Sequence, residues 1–232
     1  AMGVAGRAAL ALGMKDEAVA SLKNAVATAP QSEDLWVALG ETQNAVGDVS
    51  GAIGSYTKAL TINPLGIRIY NKILEHTPDD LDLIKRKASA LTKLQRYDDA
   101  AKTYQVGIEI NKKDKELWVG RATALNFAGK GEEAVQSLKA ALKLDPKDFN
   151  CLDNLGRIQY KLGLKEDAMK SFSAATELDQ GNKTVWNALG VVQEEMDLFE
   201  EAVQSFDNAL KIDPNDINVL INKKKTLLSA QK

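Results

Sequence analysis

Val185-Trp186-Asn187-Ala188-Leu189-Gly190 repeats, with variation, the stretch Leu152-Asp153-Asn154-Leu155-Gly156. Gly156 and Gly190 set the interval at about 34 residues, within the range that marks a repeat architecture. Leu35-Trp36-Val37-Ala38-Leu39-Gly40 is a third version, and Glu133-Ala134-Val135-Gln136-Ser137-Leu138 returns two intervals later as Glu201-Ala202-Val203-Gln204-Ser205-Phe206. Asn63-Pro64, Asp145-Pro146 and Asp213-Pro214 close units in the same way. Units beginning at Glu33, Leu81, Lys115, Phe149 and Lys183 each divide into two amphipathic segments, and the apolar spacing of each segment predicts a helix. In the first segment a large residue (Trp36, Ile84, Trp118, Leu152, Trp186) precedes a small one by four (Gly40, Ala88, Ala122, Gly156, Gly190). In the second, an alanine (Ala52, Ala100, Ala134, Ala168, Ala202) precedes Tyr56, Tyr104, Leu138, Phe172 or Phe206 by four, and Ala59, Gly107, Ala141, Ala175 or Ala209 follows three later. Small places make clearance and large ones fill the facing groove, as close packing requires.

This pattern resembles the tetratricopeptide repeat family over nearly the whole chain. The resemblance implies an all-α fold, a right-handed α-solenoid of antiparallel helix pairs in repeats of about 34 residues. Residues 1–64 read as two repeats, the first truncated but in frame through Gly6, Ala18, Leu22, Ala25 and Pro30. Residues 79–216 read as four tandem repeats, and 217–232 as a capping helix or the start of a further repeat. In that last segment Leu220 takes the large place, but Lys223 and Lys224 stand where a leucine and a small residue belong, so no second helix is expected there. A polar end suits a solenoid.

One place breaks the period: the interval from Glu33 to Leu81 exceeds one period by somewhat less than half of another. With Pro78 as a closing proline, Gly66, Tyr70 and Ile73 occupy the small, aromatic and small places of a second helix, whereas a first helix here would put Leu74 in a small place. The reading is an unpaired helix of the second type near 66–77, within a break at 65–78. Two consequences stay open: sub-arrays at about 1–64 and 79–232, or a local kink with a continuous core.

Composition narrows the functional classes. The 232 residues are 44% hydrophobic and 27% charged, with 30 Lys+Arg against 32 Asp+Glu, too balanced to favour a nucleic-acid partner. One histidine, His76, and one cysteine, Cys151, exclude an intrachain disulfide and a zinc site of the usual kind, leaving only a carboxylate set open. No stretch approaches the roughly 18 consecutive apolar residues of a membrane span, so no membrane insertion is expected. The Ala1-Met2 start reads as an expression scar on a piece of something longer, with no secretory signal, and the expected setting is cytoplasmic. Glu17, Asp99, Glu133, Asp167 and Glu201 recur at one helical place, which is how acids offset helix dipoles and not how an active site is built. His76, near a helix end, and Cys151, a small thiol in a first helix, read as structural. Gly47, Gly51 and Gly54 lack a strand and a Gly-Lys-Ser/Thr, so no nucleotide loop is expected. No catalytic residue, metal or cofactor is assigned.

In the family, first helices line a concave wall that commonly holds an extended peptide or a partner's helix. Counting turns, the inward places hold Val119, Thr123, Asn126 and Phe127, then Asn150, Asp153, Arg157, Tyr160 and Lys161, then Thr184, Asn187, Val191, Glu194 and Glu195. Asparagines can both donate to and accept from an extended backbone, Arg157 can fork to a carboxylate, and Phe127 or Tyr160 can take an apolar side chain. Inward charges are mixed: Arg7, Lys85, Lys93, Arg157, Lys161 and Lys225 against Asp34, Glu41, Asp82, Glu116, Asp153, Glu194 and Glu195. The basic clamp by which some family members hold the acidic tail of heat-shock chaperones is not matched. Lys85 could supply its first lysine, but Ser89, Gly120, Asn150 and Asn154 stand in its other places. The expectation is a non-enzymatic protein–protein interaction module, an adaptor binding a peptide or helix of another protein. The alternatives are a self-assembling scaffold using the unpaired or terminal helices, and the substrate-recruiting part of a larger enzyme.

Overall fold

The computed structural model of the chain describes residues 13–231. The described residues form thirteen helices and no strands: α1 (Lys15–Thr28), α2 (Glu33–Ala45), α3 (Val49–Ile62), α4 (Ile67–Leu74), α5 (Leu81–Lys93), α6 (Tyr97–Ile110), α7 (Lys115–Phe127), α8 (Gly131–Leu144), α9 (Phe149–Lys161), α10 (Lys165–Leu178), α11 (Lys183–Glu194), α12 (Phe199–Ile212) and α13 (Ile217–Ser229). Gly6 and Arg7 lie outside the described residues. Two compact units divide the chain, one ending at Ile110 and the other starting at Asn111.

The period acts first on the backbone. Four first helices start at an Asp or Asn whose side chain accepts from an N–H group that the first turn leaves unbonded: Asp80 from Leu83 N, Asp148 from Cys151 N, Asn182 from Val185 N, Asp216 from Val219 N. Each first helix hands over to its second through a left-handed residue. Gly47, Gly129 and Gly163 supply it without strain, and Gln95 and Asp197 take the same place at φ 59°.

Packing then closes each helix pair on a side-chain gap. A Cβ added at Gly40 would lie 2.6 Å from Tyr56 Cε1; at Gly156 it would lie 2.7 Å from Phe172 Cε1, and at Gly190 2.6 Å from Phe206 Cε1. Those three rings are among the most buried side chains of the molecule. Where Ala122 replaces the glycine, the smaller Leu138 replaces the ring. Tyr104, whose counterpart is Ala88, is only partly buried. Beside the rings, the Ser55 and Ser205 hydroxyls donate to Gln43 and Gln193 Oε1 at 2.5 and 2.6 Å, and Ser171 bonds the Gln159 amide at 2.6 Å. A polar bond thus recurs inside each of these helix pairs.

The helix at the break is not of the second type. In α2, α7 and α11 the fourth residue is a tryptophan whose indole N–H donates to the carbonyl six residues earlier: Trp36 to Pro30, Trp118 to Lys112, Trp186 to Gln180. Tyr70 is the fourth residue of α4, and its hydroxyl donates to the Pro64 carbonyl, again six residues back, at 3.1 Å. Ile69 is buried in the third place, as are Leu117, Cys151 and Val185. α4 is therefore a shortened first helix. Leu74 is tolerated in a small place because no second helix follows to need the clearance; α5 comes next. The core runs on through it, since Val37, Tyr56, Leu60, Tyr70, Ile73 and Leu83 belong to one buried cluster.

Consecutive repeats of the second unit are also tied by charge. Lys183 Nζ reaches Asp213 at 2.5 Å and Asp216 at 2.8 Å, and Lys115 reaches Asp148 and Asp145 at the same distances. Hydrogen bonds from Lys183 hold Asp213 and Asp216 below the ordinary 3.8, and the two carboxylates raise Lys183 above 10.5.

Gly190→Ala should destabilise the chain by about 1–3 kcal/mol through overpacking, and adding Phe206→Leu, which copies the natural Ala122/Leu138 pair, should recover part of that loss. Denaturant melts of the two single variants and the double variant measure it. The lysine tie contributes stability above the carboxylates' unfolded value, loses it as pH falls through their lowered native values, and loses it again as pH rises through the raised native value of Lys183. Wild type should therefore lose stability more steeply than Lys183→Met below about pH 4. Parallel acid limbs in the two proteins would refute the tie.

Candidate peptide-binding surface of the second unit

Three polar groupings stand on the first helices α7, α9, α11 and α13. The first is a cleft of about 180 Å³ lined by Ala122, Thr123, Asn126, Phe127, Leu138, Asn154 and Ile158. Its floor is apolar, because Ala122, Leu138 and Ile158 are core residues of their helices. Its rim carries two amides, Asn126 and Asn154, one from α7 and one from α9, and the Phe127 ring at its edge is 60% exposed. Of the anticipated residues, Thr123, Asn126 and Phe127 are brought together here. Asn150 and Lys161 are exposed on α9, outside the cleft lining.

In the second grouping, Arg157 Nε donates to both oxygens of Asp153 one turn earlier, at 2.9 Å each. The Nε–H of Arg157, one donor of the fork anticipated for a ligand carboxylate, is thus already bonded to a carboxylate of its own helix. The third joins α9, α10, α11 and α13. Tyr160 Oη donates to Glu195 Oε1 at 2.5 Å, and Lys165 Nζ pairs with Glu195 Oε2 at 3.0 Å. That hydrogen bond, with burial behind it, pushes the Tyr160 phenol up to about 12; the same bond and Lys165 hold Glu195 below its ordinary value. Glu194, 9% exposed, pairs with Lys225 at 3.0 Å, and Asn222 Nδ2 donates to Asn187 Oδ1 at 3.0 Å.

The structure thus separates the anticipated residues by state. Asn126 and Phe127 line an open cleft, whereas Asp153, Arg157, Tyr160, Asn187 and Glu194 are engaged within the fold. Asn154 and Ile158 belong to the cleft but were not among the inward residues anticipated from turn counting. Their signal was present, since Asn154 is one turn beyond Asn150 and Ile158 one turn beyond Asn154.

Of the residues considered for chemistry, Cys151 is buried and His76 partly so. Cys151 is 1% exposed, and burial, with the Asp148 charge beside it, pushes its thiol up to about 12, far from a reactive thiolate. His76 Nε2 is buried without a hydrogen-bond partner among the described residues, so it does not bond a free helix-end carbonyl as its place suggested. Among the described residues no group of three or more His, Cys, Asp or Glu is placed to hold a metal ion, and no helix is long and apolar enough to cross a membrane.

The repeat frame seen in the helix pairs is recognised by two family models. One described as tetratricopeptide repeat matches residues 4–67 and 154–217, just over half of the chain, and one described as TPR repeat matches 128–163. The chain belongs to the tetratricopeptide repeat family. No curated protein matches its sequence. Among solved structures, the tetratricopeptide array is similar to the crystal structure of MamA protein, at 18% identity and a TM-score of 0.60, over 80% of this chain and 94% of that one. It is also similar to YrrB, described as a TPR protein with an unusual peptide-binding site, at 19% identity and a TM-score of 0.55, over 88% and 97%. A third likeness is to the APC/C hetero-tetramer Cut9-Hcn1, at 19% identity and a TM-score of 0.52, covering 97% of this chain and 42% of that one. At these identities the likeness is one of fold, an all-α helical repeat solenoid. Family membership makes the chain a protein–protein interaction module in general terms.

Proposed function

We propose that this tetratricopeptide array is a non-enzymatic adaptor and that α7 and α9 hold an extended segment of a partner protein. The cleft carries the reading. An extended segment presents an unpaired N–H and C=O at every residue, and an amide side chain is a neutral group that can both donate and accept through separate atoms. Asn126 and Asn154 offer two such groups beside an apolar floor with room for one large side chain, and Phe127 extends that floor toward solvent. Because Arg157 and Glu194 are charge-balanced by Asp153 and Lys225, the surrounding wall gives little net steering toward a polyanion.

Phe127→Ala with Asn154→Ala tests this, because both side chains are exposed and their removal should leave the melting temperature nearly unchanged. Peptides selected on wild type from a random library should share an apolar anchor residue and should bind the double variant at least about tenfold more weakly. Equal binding to both proteins would remove the cleft from the function.

A second reading, self-assembly, has its own observation. The last helix, α13, exposes Ile217 (70%), Ile221 (58%) and Leu228 (54%) on a side that no described helix covers. Light scattering over a concentration range should show growth in mass for wild type and none for Ile221→Asp. A wild-type monomer throughout would refute self-assembly and leave the adaptor reading intact.

A further inference from the structure

The cleft between α7 and α9 has a counterpart one period further on, and the counterpart is filled. Moving along by one period replaces Ala122, Asn126, Leu138 and Ile158 by Gly156, Tyr160, Phe172 and Val192. Phe172 and Val192 belong to one buried cluster of α10 and α11, and Tyr160 of α9 packs against it. The Tyr160 hydroxyl holds its ring there through Glu195, at the end of α11. Two rings thus occupy the space between α9 and α11, where an amide and a leucine stand between α7 and α9. Of the five complete helix pairs among the described residues, four carry a ring at one or both of these places, through Tyr56, Tyr104, Phe172 and Phe206. The α7–α8 pair carries none. The cleft is set apart by what it lacks and not by its size, since a groove of about 470 Å³ beside α10 and α12 is larger.

The lining decides what enters. Ala122, Leu138 and Ile158 give apolar contact, and no lining residue is charged, so an ionised side chain would lose hydration there without gaining a partner. Phe127 stands at the edge, 60% exposed, in the place that Ala45, Lys93 and Lys161 hold in α2, α5 and α9. A ring that meets another offset or edge-on gains beyond the area it buries, and an aliphatic side chain does not. The amides of Asn126 and Asn154 remain for the backbone on either side.

We propose that the segment held by α7 and α9 is anchored by an aromatic side chain, Phe, Tyr or Trp, whose ring supplies in trans what Tyr160 supplies one period on. The ring packs against Phe127 over the floor of Leu138 and Ile158. The inference rests on the adaptor reading of this cleft and adds to it the class of residue that the partner presents.

The probes are peptides selected on the full chain from a random library, with binding read by fluorescence anisotropy. They should share a Phe, Tyr or Trp, and changing that residue to Leu should weaken binding by about threefold or more. Asn126→Tyr, which copies the next repeat, should fill the place from within and weaken binding at least about tenfold. Asn126→Ala removes the same amide without filling the place. It should bind better than Asn126→Tyr and keep the preference for a ring over leucine. Asn126 is partly exposed, so both variants should melt near wild type. The leucine exchange is made in the peptide, so it decides even where a variant melts early. Aliphatic anchors, equal binding after the leucine exchange, or equal binding to the two Asn126 variants would each overturn the ring as anchor. Equal binding to wild type and to Phe127→Ala with Asn154→Ala would instead remove the cleft itself, which is a separate failure.

Discussion

Two helices of a repeat can lie against each other only where one of them has nothing to hold them apart. At Gly40, Gly156 and Gly190 that place is empty, and the facing ring fills it so closely that even a methyl group would overlap it. Much of the fold depends on this contact. It sets the spacing within each pair and sinks the rings into the core. It also fixes the rotation of the first helices about their axes, and so decides which side chains they present outward. The recurrent serine–glutamine bonds sit beside the same contact and make sense only at that separation.

Much of this was legible because the contact needs a small residue and a large one at fixed places, and the need returns with the period. The departure at α4 was not legible for a reason of the same kind. Leu74 violates the small place, which argues against a first helix only if a second helix is there to be accommodated. Tyr70 could be matched to the aromatic place of a second helix because a tyrosine hydroxyl and an indole N–H look unlike in sequence, yet they donate to the same backbone carbonyl. The binding surface was legible in outline only. Turn counting finds which side chains face outward, but it does not find which are already engaged. Tyr160 with Glu195 and Asn187 with Asn222 are each 35 residues apart, one more than the period. Residues so spaced meet across neighbouring first helices, and a search at that offset would have marked both pairs as internal.

Much of the charge on the first helices of the second unit is paired within the fold. Along α9, α11 and α13 most cations have found an anion of the same chain, which stiffens that wall and leaves the amide-rimmed cleft as its adaptable part. The one thiol is buried in the core, where burial and the neighbouring Asp148 charge keep it protonated.

A repeat array is held by contacts between neighbours, so its stability is a sum of links and not a property of the whole. Most links here join two helices of at least three turns, but α4 has barely more than two and no hairpin partner of its own. Its place in the array therefore rests on Ile69, Tyr70 and Ile73, which join it to α3 and α5 in one buried cluster.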